Sequence, residues 1–123
     1  MSATYVYACA ALLLVTAMVH WVLGERRLIV PLLQSREGIL GSDLARFLLR
    51  FVWHFMSILF AIIALALIAH QQDADSGRSA LLLCTAIGVG GAGVFDAMAT
   101  RGRHIGWPLL VLIAVFALLG LWA

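Results

Sequence analysis

Residues Arg46, Phe47, Leu48, Leu49, Arg50, Phe51, Val52, Trp53, His54, Phe55, Met56 and Ser57 open an apolar run that continues through Leu67. The run is long enough to cross a bilayer as a helix. Arg46, Arg50 and His54 recur every four residues, and Ser57 follows three residues deeper. At about 3.6 residues per turn this spacing stacks all four on one helical face, a polar stripe on an otherwise apolar cylinder. Charge facing lipid is costly, so such a stripe is expected to turn towards a protein interior or a wet cavity.

Composition supports the same class. Of 123 residues, 64% are hydrophobic and 11% are charged, against about 25% charged in an ordinary soluble domain. A single membrane domain spanning 1–123 accounts for this. The formal charge of +2 comes from eight arginines, no lysine and six carboxylates. That surplus is too small and too scattered for a nucleic-acid surface, and nucleic acid is excluded as a partner. Cys9 and Cys84 lie in apolar runs and no Cys-x-x-Cys pair occurs, so two lipid-buried thiols are expected; a disulfide is the alternative, since both fall in the same half of the bilayer.

Working outward from the central run, the chain reads as all-α: an integral membrane four-helix bundle, up-down-up-down, with helices at about 4–23, 43–70, 79–100 and 105–123. The first span carries no formal charge, and Arg26 and Arg27 follow it, the reverse of a signal peptide's order, so it is expected to remain as a helix. Residues 24–46 read as a helical extension or interfacial segment, bent near Pro31. Ser42 supplies an N-cap and Asp43 an acidic first turn for the second helix. Residues 71–78 read as a polar hairpin connection that makes the second and third helices antiparallel neighbours. Around Gly88, Gly90, Gly91 and Gly93 the third helix is rich in small residues four apart, the pattern that lets membrane helices approach closely. Pro108 falls in the first turns of the fourth helix, where its missing N–H costs little.

Seven of the eight arginines flank the first and third connections, and only Arg78 lies in the second. Positively charged connections stay in the cytoplasm, so both termini are expected to be extracytoplasmic. This topology carries His20 and Glu25, Arg50 and His54, Asp96, and Arg101 and His104 to one, cytoplasm-facing end. Should the helices close into one bundle, His20, His54, Asp96 and His104 form a candidate ligand set for a divalent transition metal, because imidazole and carboxylate suit such ions. Arg50, Ser57, Glu25 and Arg101 then form a polar ligand site beside it. No His-x3-His or His-Glu-x-x-His pair supports the metal locally, so the set depends on the helices converging.

Three windows resemble a known group: His20-Trp-Val-Leu-Gly-Glu-Arg-Arg-Leu with Pro31, Arg50-Phe-Val-Trp-His54 with Ser57, and Thr100-Arg-Gly-Arg-His104-Ile-Gly-Trp-Pro. Together they are similar to small uncharacterised four-helix bacterial inner-membrane proteins. The resemblance covers most of the chain and implies a multi-pass protein of the inner membrane, without implying an activity. The leading functional expectation is a membrane module, self-associating as a homo-oligomer, that binds or transports a metal ion or small ligand. Two other classes compete with it. An accessory or assembly subunit of a membrane complex would use these polar residues only to lock helices to one another and to a membrane-protein partner. A b-type haem bundle would use His20 and His54 as axial ligands, although Trp21, Phe51, Trp53 and Phe55 crowd the space a porphyrin needs. A membrane enzyme is the least supported class, since no nucleophile motif or phosphate loop occurs.

Overall fold

The computed structural model describes residues 3–122, which are helical apart from short connections and contain no strand. Helix α1 (Ala3–Val19) passes without a break into a π-helical segment (His20–Ile29) and then into α2 (Val30–Gln34). A 3-10 turn (Gly38–Gly41) leads to α3 (Asp43–His70), followed by α4 (Ala74–Thr100) and α5 (Trp107–Trp122). Three continuous helices, Ala3–Gln34, Asp43–His70 and Ala74–Thr100, are long and apolar enough to cross a membrane, and α5 is a shorter apolar helix.

Local chemistry sets most of the boundaries. Ser42 accepts a hydrogen bond from the Ala45 N–H and caps α3 as its sequence suggests. The expected start of the third helix near Ser79 is corrected to Ala74. Asp73 caps it, accepting from the Ser76 N–H and the Ser76 hydroxyl, each at 2.7 Å. These bonds hold the Asp73 carboxyl below its usual range. The polar segment 71–78 is therefore mostly the first turns of α4. At the far end Arg101 takes a left-handed conformation (φ 52°), and the Gly102 N–H returns to the Ala97 carbonyl at 2.9 Å, closing the helix in a Schellman-type turn.

After residue 23 the chain continues as a helical extension, one of the two forms expected there, as far as Gln34. Pro31 occupies the first turn of α2, where a missing N–H is tolerated, and the helix runs through it.

Side-chain contacts fix the register. His20 meets Ser57 while Glu25 meets Arg50 and His54, so α1 with its π-helical extension runs antiparallel to α3. Phe47 meets Phe95 and Ile58 lies against Gly88, which makes α3 antiparallel to α4. Gly93 abuts Leu110, Gly90 abuts Ala114 and Arg78 reaches the Gly120 carbonyl, which makes α4 antiparallel to α5.

Each helix packs on its neighbour in sequence, and α1 and α5 do not meet along their length. The expected four-helix bundle is thus an open row, α1–α3–α4–α5. Its interior is made mostly of small groups: Ala10, Ala17, Ala64, Ala86, Ala92, Ala114 and Ala117 are buried, as are Gly77, Gly90, Gly93 and Ser57, with Ile29, Ile62 and Val89 the larger apolar side chains among them. Large apolar side chains, among them Leu12, Ile87, Phe116 and Leu119, point outward. Water would favour the opposite distribution.

Candidate functional site

The π-helical segment decides what α1 presents to α3. Five residues along an α-helix is a turn of about 140°, which would put His20 and Glu25 on different faces. In a π-helix the backbone closes from i to i+5, so positions five apart lie nearly above one another. The Val30 N–H accordingly bonds to the Glu25 carbonyl. His20 and Glu25 both face α3, where the stripe of Arg50, His54 and Ser57 receives them.

Glu25 is the centre of this contact. Its Oε1 accepts from the Arg50 guanidinium, and its Oε2 lies 2.9 Å from His54 Nε2. With both oxygens engaged and only 15% of the side chain exposed, the carboxylate is sequestered, while Arg50 stays 53% exposed. One turn deeper, His20 Nδ1 lies 3.0 Å from the Ser57 hydroxyl, and the His20 ring stacks on Trp53 with centroids 3.9 Å apart and planes 11° from parallel. The Trp53 indole N–H donates to the His20 carbonyl at 2.9 Å. Gly24 makes this possible, because a Cβ there would fall 2.6 Å from the indole. Trp21 tilts against His54, with centroids 4.3 Å apart.

A second polar cluster closes the turn between α4 and α5. Asp96 is fully buried, its Oδ2 lies 2.5 Å from His104 Nδ1, and its Oδ1 has no partner. The Thr100 hydroxyl donates to the Asp96 carbonyl at 2.7 Å and accepts from the His104 N–H at 3.4 Å. Gly106 leaves room for the imidazole, since a Cβ would sit 2.5 Å from His104 Cε1.

The candidate residues share one end of the row but not one site. His20 pairs with Ser57, His54 with Glu25 and His104 with Asp96, each across a different stretch of helix. Among the described residues no three His, Cys, Asp or Glu side chains group as a metal would require. The set His20, His54, Asp96 and His104 is therefore not gathered, because the row stays open between α1 and α5. Arg50, Glu25 and Ser57 do lie on one seam. Arg101 does not join them: it is exposed and serves as the turn residue after α4. Arg46 pairs instead with Asp43 at 2.7 Å. For the haem alternative, Ser57, Glu25 and the stacked Trp53 already occupy the surroundings of His20 and His54. Cys9 and Cys84 are free thiols, and no disulfide joins them.

Beside the Glu25 cluster opens a cleft of about 680 Å³ between α3 and α4, with Trp21 at its edge. Phe47, Phe51 and Phe55 form one wall, stacked at 5.8 and 5.9 Å, and Phe95 lies 6.0 Å from Phe47. Ile58, Ile87, Gly88, Gly91 and Ala92 complete the apolar lining, and Arg50 and His54 supply its polar part. Gly91 faces open space, so nothing on its side fills the cleft. No protein family, curated protein or solved structure matches this chain.

The sequence reading passed over these phenylalanines, treating Phe51 and Phe55 only as bulk. Phe47, Phe51 and Phe55 recur every four residues, one position after Arg46, Arg50 and His54. Two adjacent stripes, one aromatic and one cationic, are the signal of a cleft with a polar margin. The π-helical register has no comparable signature in the residues.

Proposed function

We propose that the protein is a multi-pass protein of the inner membrane that binds a small, mainly apolar ligand in the cleft between α3 and α4, with Arg50 and His54 at its polar margin. The observation that carries this reading is the cleft itself. Its volume of about 680 Å³ lies in the usual ~300–1,000 Å³ range for small-molecule sites, and its apolar lining with few polar groups is the usual composition of such sites. Residence in a bilayer is supported by three long apolar helices and by small residues packed inside with large apolar ones outside, as in membrane helix association. The arginine distribution supports termini on the extracytoplasmic side.

Ligand retention tests the reading. Wild type purified in mild detergent is expected to carry a small apolar or amphipathic molecule, detected by mass spectrometry, and Gly91→Leu is expected to lose it by filling the cleft from its open side. Equal small-molecule content in the two proteins overturns the reading. A reporter fused after Ala123 is expected to show extracytoplasmic activity; cytoplasmic activity reverses the orientation.

A second reading has its own observation. Glu25 with Arg50 and His54, His20 with Ser57, and Asp96 with His104 all pair within the chain. An accessory subunit, whose polar residues serve only to fasten helices, needs nothing more. It predicts that filling the cleft changes no small-molecule content.

A further inference from the structure

We infer that the cleft selects a single-chain amphiphile with an anionic head, a carboxylate or phosphate, bound at Arg50. This rests on the cleft reading above and adds the chemistry of the ligand's polar end. The donors and acceptors around the cleft decide the polar end. Both Glu25 oxygens already receive bonds, so the carboxylate beside the cleft offers no acceptor to a ligand. His54 Nε2 is committed to Glu25, and His54 Nδ1, though without a hydrogen-bond partner, is buried beneath the cleft surface.

Arg50 differs. Its only hydrogen bond among the described residues runs from one terminal nitrogen to Glu25, leaving most of the five N–H donors of a guanidinium free. It lines the cleft and is half exposed. The polar margin is therefore donor-only, and a ligand's polar end must accept. An anion accepts best, because charge-assisted bonds to guanidinium are the stronger kind and carboxylate and phosphate match its planar fork.

The surrounding charge points the same way. Four carboxylates lie at this end of the row: Glu25 is held by Arg50 and His54, Asp43 is paired with Arg46, Asp96 is buried against His104, and Glu37, beside Arg36, has no ion-pair partner among the described residues. Arg26, Arg27, Arg36, Arg101 and Arg103 have no carboxylate partner among the described residues, so the local potential favours an anion. A cleft of about 680 Å³ has room for one extended acyl chain.

The experiment uses the whole protein in bilayer discs of zwitterionic lipid. It is titrated with a bromine-labelled long-chain fatty acid, the chain-matched alcohol and the chain-matched monoacyl phosphate. Bromine quenches indole fluorescence at contact, and Trp21 lines the cleft. The acid and the phosphate are expected to bind about tenfold or more tightly than the alcohol, with the gap narrowing as salt rises. Arg50→Gln is expected to abolish the gap and Arg50→Lys to keep part of it. Gly91→Leu is expected to weaken all three ligands. A preference between acid and phosphate identifies the head, and either preference supports the inference. Equal affinity of wild type for all three, still reduced by Gly91→Leu, overturns the anionic head and leaves the cleft reading standing. Quenching untouched by Gly91→Leu overturns the cleft reading itself. The wild-type comparison needs no variant, so a poorly folding Arg50→Gln leaves the test intact.

Discussion

Where α1 and its π-helical extension run along α3, side chains fill the seam: an indole stacked on an imidazole, and a carboxylate held by a guanidinium and a second imidazole. Where α4 runs along α5, the backbones nearly touch, with Gly90 against Ala114 and Gly93 against Leu110. The first seam is specified by long-range polar contacts and the second by the absence of side chains. The contrast explains where a cleft can open. Bulky aromatics on α3 leave uneven space against the small residues of α4, whereas on the other seam the glycines of α4 receive Leu110, Val111 and Ala114 of α5 at close contact and leave none.

The sharpest way to break this comparison is on one helix. Gly90→Leu forces a side chain into Ala114, where even a Cβ would lie 2.6 Å away. A loss of about 3 kcal/mol is expected, the upper end of ordinary overpacking. Gly91→Leu, one position on, meets open space and is expected to change stability by less than about 0.5 kcal/mol. Denaturant unfolding in detergent measures both, and equal effects would mean that the second seam is not a close contact.

On the first seam, Glu25→Gln is expected to lose about 2 kcal/mol, as for hydrogen bonds to a charged group. In a double-mutant cycle Glu25→Gln and His54→Ala should couple by more than about 0.5 kcal/mol, because one network holds both. Strict additivity of that pair would reduce the polar cluster to separate surface contacts.

Across the two seams the expectation reverses. His54→Ala and His104→Ala should add to within about 0.5 kcal/mol, as for sites without shared partners. Coupling between them would restore the single convergent site that the helix ends suggest when read as a bundle.

That last contrast also marks how much could be read from residues alone. The helices around Ser42 and Pro108 were legible because caps and proline act locally, and so was the close approach of Gly90 and Gly93, because small residues four apart have one main use in membranes. The stripe of Arg50, His54 and Ser57 was legible as a face. Its partners were not, since His20 and Glu25 share a face only in a π-helical register, which their spacing does not announce. The start of α4 was missed because Asp73, the cap, sits inside a run of polar residues that reads as loop. Convergence of His20, His54 and His104 required α1 to meet α5, and nothing in the spacing of either helix states whether a row closes.

The smallest expected effect lies at that missed cap. Hydrogen bonds from Ser76 lower the Asp73 carboxyl in the folded chain, so its contribution is complete above the ordinary Asp value near ~3.9 and is lost as pH falls through the lower, folded value. Protection against amide exchange in the first turn of α4, taken relative to the intrinsic rate at each pH, should therefore fall on acidification below that point. Asp73→Asn, which keeps a capping oxygen without a titrating group, should remove the dependence; an unchanged acid response would place its origin in another carboxylate.

The π-helical stretch His20–Ile29 makes this seam sensitive to residue count as much as to residue type. Each of its turns holds more residues than an α-turn, so deleting one residue between Glu25 and Val30 lets the segment rewind as α-helix while His20 and Glu25 stay five residues apart, about 140° around the axis. His20 and Glu25 would then point in different directions, and Glu25 would leave Arg50 and His54. A one-residue deletion there, invisible to composition or hydropathy, would do to the polar margin of the cleft what no conservative substitution on α1 could do.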